Sequence, residues 1–127
     1  MFEYNVTYKE PGPPEMRLIH GQEPGSKEEW WVALALWKLN LSFRFQVPIM
    51  GGRDRRGGFI VDFIVYTPVA TPLEVFGNYW HRNQMGMGDS MRISILRDYF
   101  NREPVIIWGS EATDEDETLA VVRRKLL

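Results

Sequence analysis

The sequence contains no cysteine. That excludes disulfides and thiolate zinc sites, and it fits a reducing compartment. No apolar run approaches the roughly 20 residues of a membrane span, and the first residues, MFEYNVTYKE, lack the basic-then-apolar order of a secretory signal. The expected location is cytoplasmic, with no membrane partner. Positive charge is not in excess: the formal net charge is −2, so there is no global signature of nucleic-acid binding. Repeats and low-complexity segments are absent, and histidine is limited to His20 and His81.

With 127 residues, 44% hydrophobic and 25% charged, the chain fits one domain with a modest core. Residues 1–25 are dense in proline and glycine and predict an irregular arm, with a short strand at Phe2 to Tyr8. Residues 26–127 are the expected folded domain. Ser26 is a good helix N-cap, and Glu29 three residues later completes a capping-box pattern. The following helix is apolar almost all round, with Leu34, Trp37 and Leu41 on one side, and Asn40 is expected to close it.

Three strands are predicted next. Ser42 to Ile49 alternates, with Phe43, Phe45 and Val47 on one face and Arg44 and Gln46 on the other. A glycine-rich loop, Gly51 to Gly58, leads to Phe59 to Tyr66, whose nearly unbroken apolar sequence suits a strand covered on both faces. Pro68 and Pro72 bracket a turn before the third strand, Leu73 to Phe76. A second helix is expected from Asp89 to Phe100, with Met91, Ile95, Leu96 and Tyr99 at helical spacing. Pro104 to Trp108 is a short strand, and Thr113 caps a last helix with a stripe of Leu119, Val122 and Leu126. Its acids come first and its bases last, complementing the helix dipole. The order is α-β-β-β-α-β-α, an α/β domain.

Against this background one residue is out of place: Asp62, in the middle of FIVDFIVY. A carboxylate in an apolar strand needs a partner, a proton or a metal. Glu74 lies twelve positions on, enough for two adjacent strands and a turn. Two hard oxygen ligands suit Mg²⁺ or Mn²⁺. His81 follows, and a histidine titrating near neutrality can move a proton to or from a reacting oxygen. Local positive charge gathers at Arg53, Arg55 and Arg56, with Arg82 and Arg92 further on. Such a patch can hold phosphates despite the total charge.

The ordered pieces Ser26-Lys27-Glu28-Glu29, Phe43-Arg44-Phe45-Gln46, Val61-Asp62-Phe63, Gly77-Asn78-Tyr79-Trp80-His81, Asp89 with Met91-Arg92, and Val105-Ile106-Ile107-Trp108 resemble the restriction-endonuclease-like PD-(D/E)XK superfamily. Within it they are most similar to very-short-patch repair endonucleases and EDxHD homing nucleases. The resemblance covers residues 26–127. It implies an αβββαβ core with a central mixed sheet flanked by helices. It implies a metal held by Asp62, Glu74 and the backbone carbonyl of Val75, and a catalytic set of Glu29, Asp62, Glu74, His81 and Asp89. Gln46 is expected to line the same site, and Tyr79 and Trp80 to stack on or wedge between bases.

One departure from the family pattern stands out: Phe76 occupies the place of the motif lysine. The cysteine-held zinc of the mismatch-repair relative cannot be built either. The expected function is a metal-dependent DNA endonuclease, cytoplasmic or nucleoid-associated. Its specificity would come from DNA shape, a protein partner or a homodimer. The alternative is a nuclease-like DNA-binding or assembly module without catalysis.

Overall fold

The computed structural model describes residues 18–52, 59–77 and 87–127. The strand expected at Phe2 to Tyr8 lies outside them. Helix α1, Lys27–Lys38, starts as its sequence predicts: Ser26 is extended and its Oγ accepts from Glu29 N–H at 3.1 Å. The return bond differs by one residue from a standard capping box, because Glu29 Oε1 accepts from Gly25 N–H at 2.9 Å. Leu39 caps the other end, and Asn40 turns the chain with a left-handed φ of 59°.

Strands β1 (Phe43–Ile49), β2 (Phe59–Tyr66), β3 (Ala70–Phe76) and β4 (Val105–Trp108) form one mixed sheet in the order β1-β2-β3-β4. The first three are antiparallel neighbours, and β3 pairs with β4 in parallel. Helix α2, Met87–Phe100, makes the crossover from β3 to β4, and α3, Glu115–Leu126, ends the chain. The domain is therefore α/β, a mixed sheet flanked by three helices, in the predicted element order.

Two apolar clusters hold it together. The larger joins Trp30, Ala33 and Leu36 of α1 and Val121 and Val122 of α3 to Phe43, Phe45, Phe63, Leu73 and Ile107 of the sheet. The second joins Val47, Ile49, Val61 and Ile64 to Leu96 of α2. Along β1 the change from one cluster to the other falls at Gln46, whose φ of 54° is left-handed. Residues 18–25, the described part of the expected arm, pack on the domain. Ile19 is fully buried in the larger cluster, and the His20 ring stacks on Phe43 with centroids 4.5 Å apart.

Several boundaries shift from the sequence reading. β1 begins at Phe43 rather than Ser42, and β3 begins at Ala70, so Pro72 lies inside the strand rather than in the turn. α2 begins at Met87, which puts Asp89 in its first turn instead of at its cap. Asp114, not Thr113, caps α3, accepting from Glu117 N–H at 2.8 Å. On α2 the buried side runs through Ile93 and Leu96, whereas Met91 and Tyr99 face solvent.

Candidate functional site

The backbone ladder between β2 and β3 runs from Tyr66↔Ala70 to Phe63↔Leu73 and stops. The next register step would set Asp62 opposite Glu74. At that level β3 has begun pairing with β4, from Leu73↔Val105 to Phe76↔Trp108. The two strands part, and their backbone donors need other acceptors. The two acids supply them. Asp62 N–H donates to Glu74 Oε2 at 2.8 Å, and Val75 N–H donates to Asp62 Oδ2 at 2.9 Å. Hydrogen bonds to ionised acceptors are the stronger kind, so the fork is closed more tightly when the two acids are ionised.

A cleft of about 370 Å³ opens over this fork, lined by Glu29, Gln46, Ile60, Asp62, Glu74, Val75, Phe76, Gly77, Asp89 and Arg92. Four elements meet there. Glu29 comes from the first turn of α1, Gln46 from β1, the two acids from β2 and β3, and Asp89 and Arg92 from the first turns of α2. The left-handed backbone of Gln46 is uncommon for a residue with a side chain, and such positions cluster at functional sites. Its amide reaches Glu29 Oε1 at 3.4 Å, a long hydrogen bond.

Arg92 is the cation of this cleft among the described residues. Its Nε donates to Glu74 Oε1 at 2.8 Å, and Nη2 donates both to that oxygen and to the Ile60 carbonyl at 2.8 Å. Its guanidinium carbon lies 4.6 Å from the centre of the Phe59 ring. Both Glu74 oxygens are therefore engaged, whereas Asp62 Oδ1 accepts no hydrogen bond from the described residues.

Four carboxyl groups share the cleft with one guanidinium. Burial pushes the Asp62 carboxyl up, against the opposing effects of Val75 N–H and Arg92. Burial and then the charge of Asp62 push Glu74 up to about 7, even with Arg92 beside it. Glu29 is raised by burial, with the Gly25 N–H opposing and Asp62 adding to the rise. Burial is the largest cause of all three rises, so the charged forms are disfavoured here chiefly by loss of solvent, with repulsion between the acids adding at Glu74 and Glu29.

The donor chemistry fits a hard divalent cation: carboxylate oxygens of Asp62 and Glu74 and a backbone carbonyl at Val75. The guanidinium on Glu74 is itself a positive charge standing among those carboxylates. In the geometry seen, no group of three or more His, Asp or Glu among the described residues is arranged to hold an ion. Phe76 is buried and meets Trp108 edge-on at 5.6 Å.

The structure thus brings Glu29, Gln46, Asp62, Glu74, Val75, Asp89 and Arg92 to one cleft. His81, Tyr79, Trp80, Arg82, Arg53, Arg55 and Arg56 lie outside the described residues. Sequence reasoning missed two features: the Ile60 carbonyl and the pairing of Arg92 with Glu74. Asp89 and Arg92 are three residues apart on one helix and so share a face, which places Arg92 beside the site without revealing its pairing with Glu74. A second hollow, lined by Ser26, Glu28, Glu29, Val75, Phe76, Gly77 and Gly109, adjoins the cleft through four shared residues. No protein-family model, curated protein or solved structure matches the chain. Among the described residues, no helix is long and apolar enough to cross a membrane.

Proposed function

We propose that the cleft is the active site of a divalent-metal-dependent DNA endonuclease. The observation that carries this reading is the pair of carboxylates, Asp62 and Glu74, closing the fork of two strands beneath an open cleft. Asp62, Glu74 and the Val75 carbonyl would hold Mg²⁺ or Mn²⁺. Such an ion, when bound, polarises a phosphodiester and acidifies a water. The chain's own groups do the rest. Val75 N–H and Asp62 N–H fix the carboxylates on the sheet, so the ligands need little reorganisation. Glu29, anchored by Gly25 N–H and facing the cleft, orients water there, with Asp89 opposite on α2. His81 is the proposed general base or acid, and Arg53, Arg55, Arg56, Arg82 and Trp80 the proposed DNA contacts.

The test is cleavage of plasmid, nicked, branched and single-stranded DNA with Mg²⁺ or Mn²⁺, by the wild type and by Asp62→Asn. The asparagine keeps an acceptor for Val75 N–H. Asp62→Ala instead strands that donor at a cost of about 1–3 kcal/mol. Cleavage by the wild type that disappears in Asp62→Asn supports the assignment, and equal cleavage by both removes it. One observation favours a second reading, a DNA-binding or assembly module without turnover. Arg92 holds the Glu74 oxygen that a metal needs, and a packed Phe76 replaces the lysine. DNA binding with no metal-dependent cleavage in any of these substrates supports that reading.

A further inference from the structure

We infer that Arg92 is an internal stand-in for the divalent cation, released from Glu74 Oε1 when the ion binds. This rests on the proposed metal site and concerns how that site is kept when empty. Nε and Nη2 of Arg92 both converge on one oxygen, Glu74 Oε1, while Oε2 is taken by Asp62 N–H. This is not the two-oxygen fork that makes arginine–carboxylate pairs strong and specific. Nη1 makes no hydrogen bond among the described residues.

The guanidinium also has two holds that do not involve the acid: the Ile60 carbonyl and the face of Phe59. It can therefore give up Oε1 and remain docked at the cleft wall. The Arg92 side chain is one-third exposed, so leaving the carboxylate does not require unpacking α2, whereas Glu74 is 1% exposed and cannot move out to water. A buried carboxylate left alone is costly, so its ionised form needs a cation beside it when no metal ion is bound. Arg92 supplies one from the neighbouring helix.

The sign of one measurement separates this from a supporting role. Residues that merely orient a metal ligand cost about 10–100-fold in metal affinity when replaced. A competitor gives the opposite. Mn²⁺ binding is measured by calorimetry on the wild type and on Arg92→Gln, whose folding is checked by circular dichroism. The expected result is binding on the order of tenfold tighter in Arg92→Gln, and unchanged or weaker binding in the folded variant overturns the inference.

Arg92→Gln leaves Glu74 without its cation and risks unfolding, so a second readout uses the wild type alone. The Nε–H resonance of Arg92, assigned by its loss in Arg92→Lys, is followed by NMR as Mg²⁺ is added. Loss of its protection from solvent exchange, together with shifts of the Asp62 and Val75 amides, supports the exchange. Shifted amides with Nε–H still protected overturn it and leave the metal site standing. If neither the wild type nor Arg92→Gln binds Mn²⁺ or Mg²⁺, the inference and the metal reading both fall.

Discussion

Glu74→Gln tests the electrostatics of the fork directly. The Glu74 side chain is 1% exposed, and its carboxyl is pushed from 4.5 up to about 7 by burial and by Asp62. A folded-state value above the unfolded one means that the native protein binds the proton more tightly. Stability is then fully present below about pH 4.5, falls as the pH rises through the window to about 7, and levels off above it. At about 1.4 kcal/mol for each pH unit between the two values, the loss reaches about 3 kcal/mol. A glutamine cannot ionise, yet its carbonyl can still accept from Asp62 N–H or from Arg92. The stability difference between Glu74→Gln and the wild type should therefore move in the variant's favour by about 3 kcal/mol between pH 4.5 and pH 8. Urea unfolding followed by tryptophan fluorescence, in chelator, measures both proteins across this range. Asp62 and Glu29 are also raised and stay in both proteins. The repulsion between Asp62 and Glu74 is already contained in the rise of Glu74, so it adds nothing further to the difference. Parallel pH profiles for the two proteins would refute the reasoning.

Ser26→Ala removes the acceptor of Glu29 N–H and should cost about 1 kcal/mol in urea unfolding, with a matching loss of α1 helicity. Phe63→Ala empties a fully buried site between Phe43 and Phe45, and a loss of about 3–5 kcal/mol in the same assay is expected. Gly77 lies where the cleft joins its neighbouring hollow, and a Cβ there meets nothing within 4 Å. Gly77→Leu should change stability by less than about 0.5 kcal/mol while reducing DNA binding in a fluorescence-anisotropy titration.

Local chemistry made much of the fold legible in the sequence. Ser26 and Glu29 announce the start of α1 because a cap and its third residue are a short-range pattern. Asp62 stands out because every neighbour in its strand is apolar or aromatic. The parting of β2 and β3 was not legible, since it depends on how far their register runs in the assembled sheet, from Tyr66↔Ala70 only to Phe63↔Leu73, while β4 pairs along the other edge of β3. The same pairing explains Pro72. It sits opposite Ile64 of β2, and β4 joins β3 only from Leu73, so at Pro72 the other side of β3 has no partner strand. On α2 the exposed residues Met91 and Tyr99 share the helical period of the buried Ile93 and Leu96. Periodicity gives the spacing of a stripe, and the sheet it meets decides which of two adjacent stripes is covered. The hold of Arg92 on Glu74 spans eighteen positions, so only the assembled sheet and helix bring the two together.

On the proposed function, the Asp62–Glu74 fork is a cation site serving phosphodiester hydrolysis. Its most direct measurement is DNA cleavage by the purified chain with Mn²⁺, with and without chelator, beside Asp62→Asn folded to the same degree. The expected result is cleavage that is lost both on chelation and in Asp62→Asn. Cleavage that persists in chelator, or that Asp62→Asn performs as well as the wild type, contradicts it.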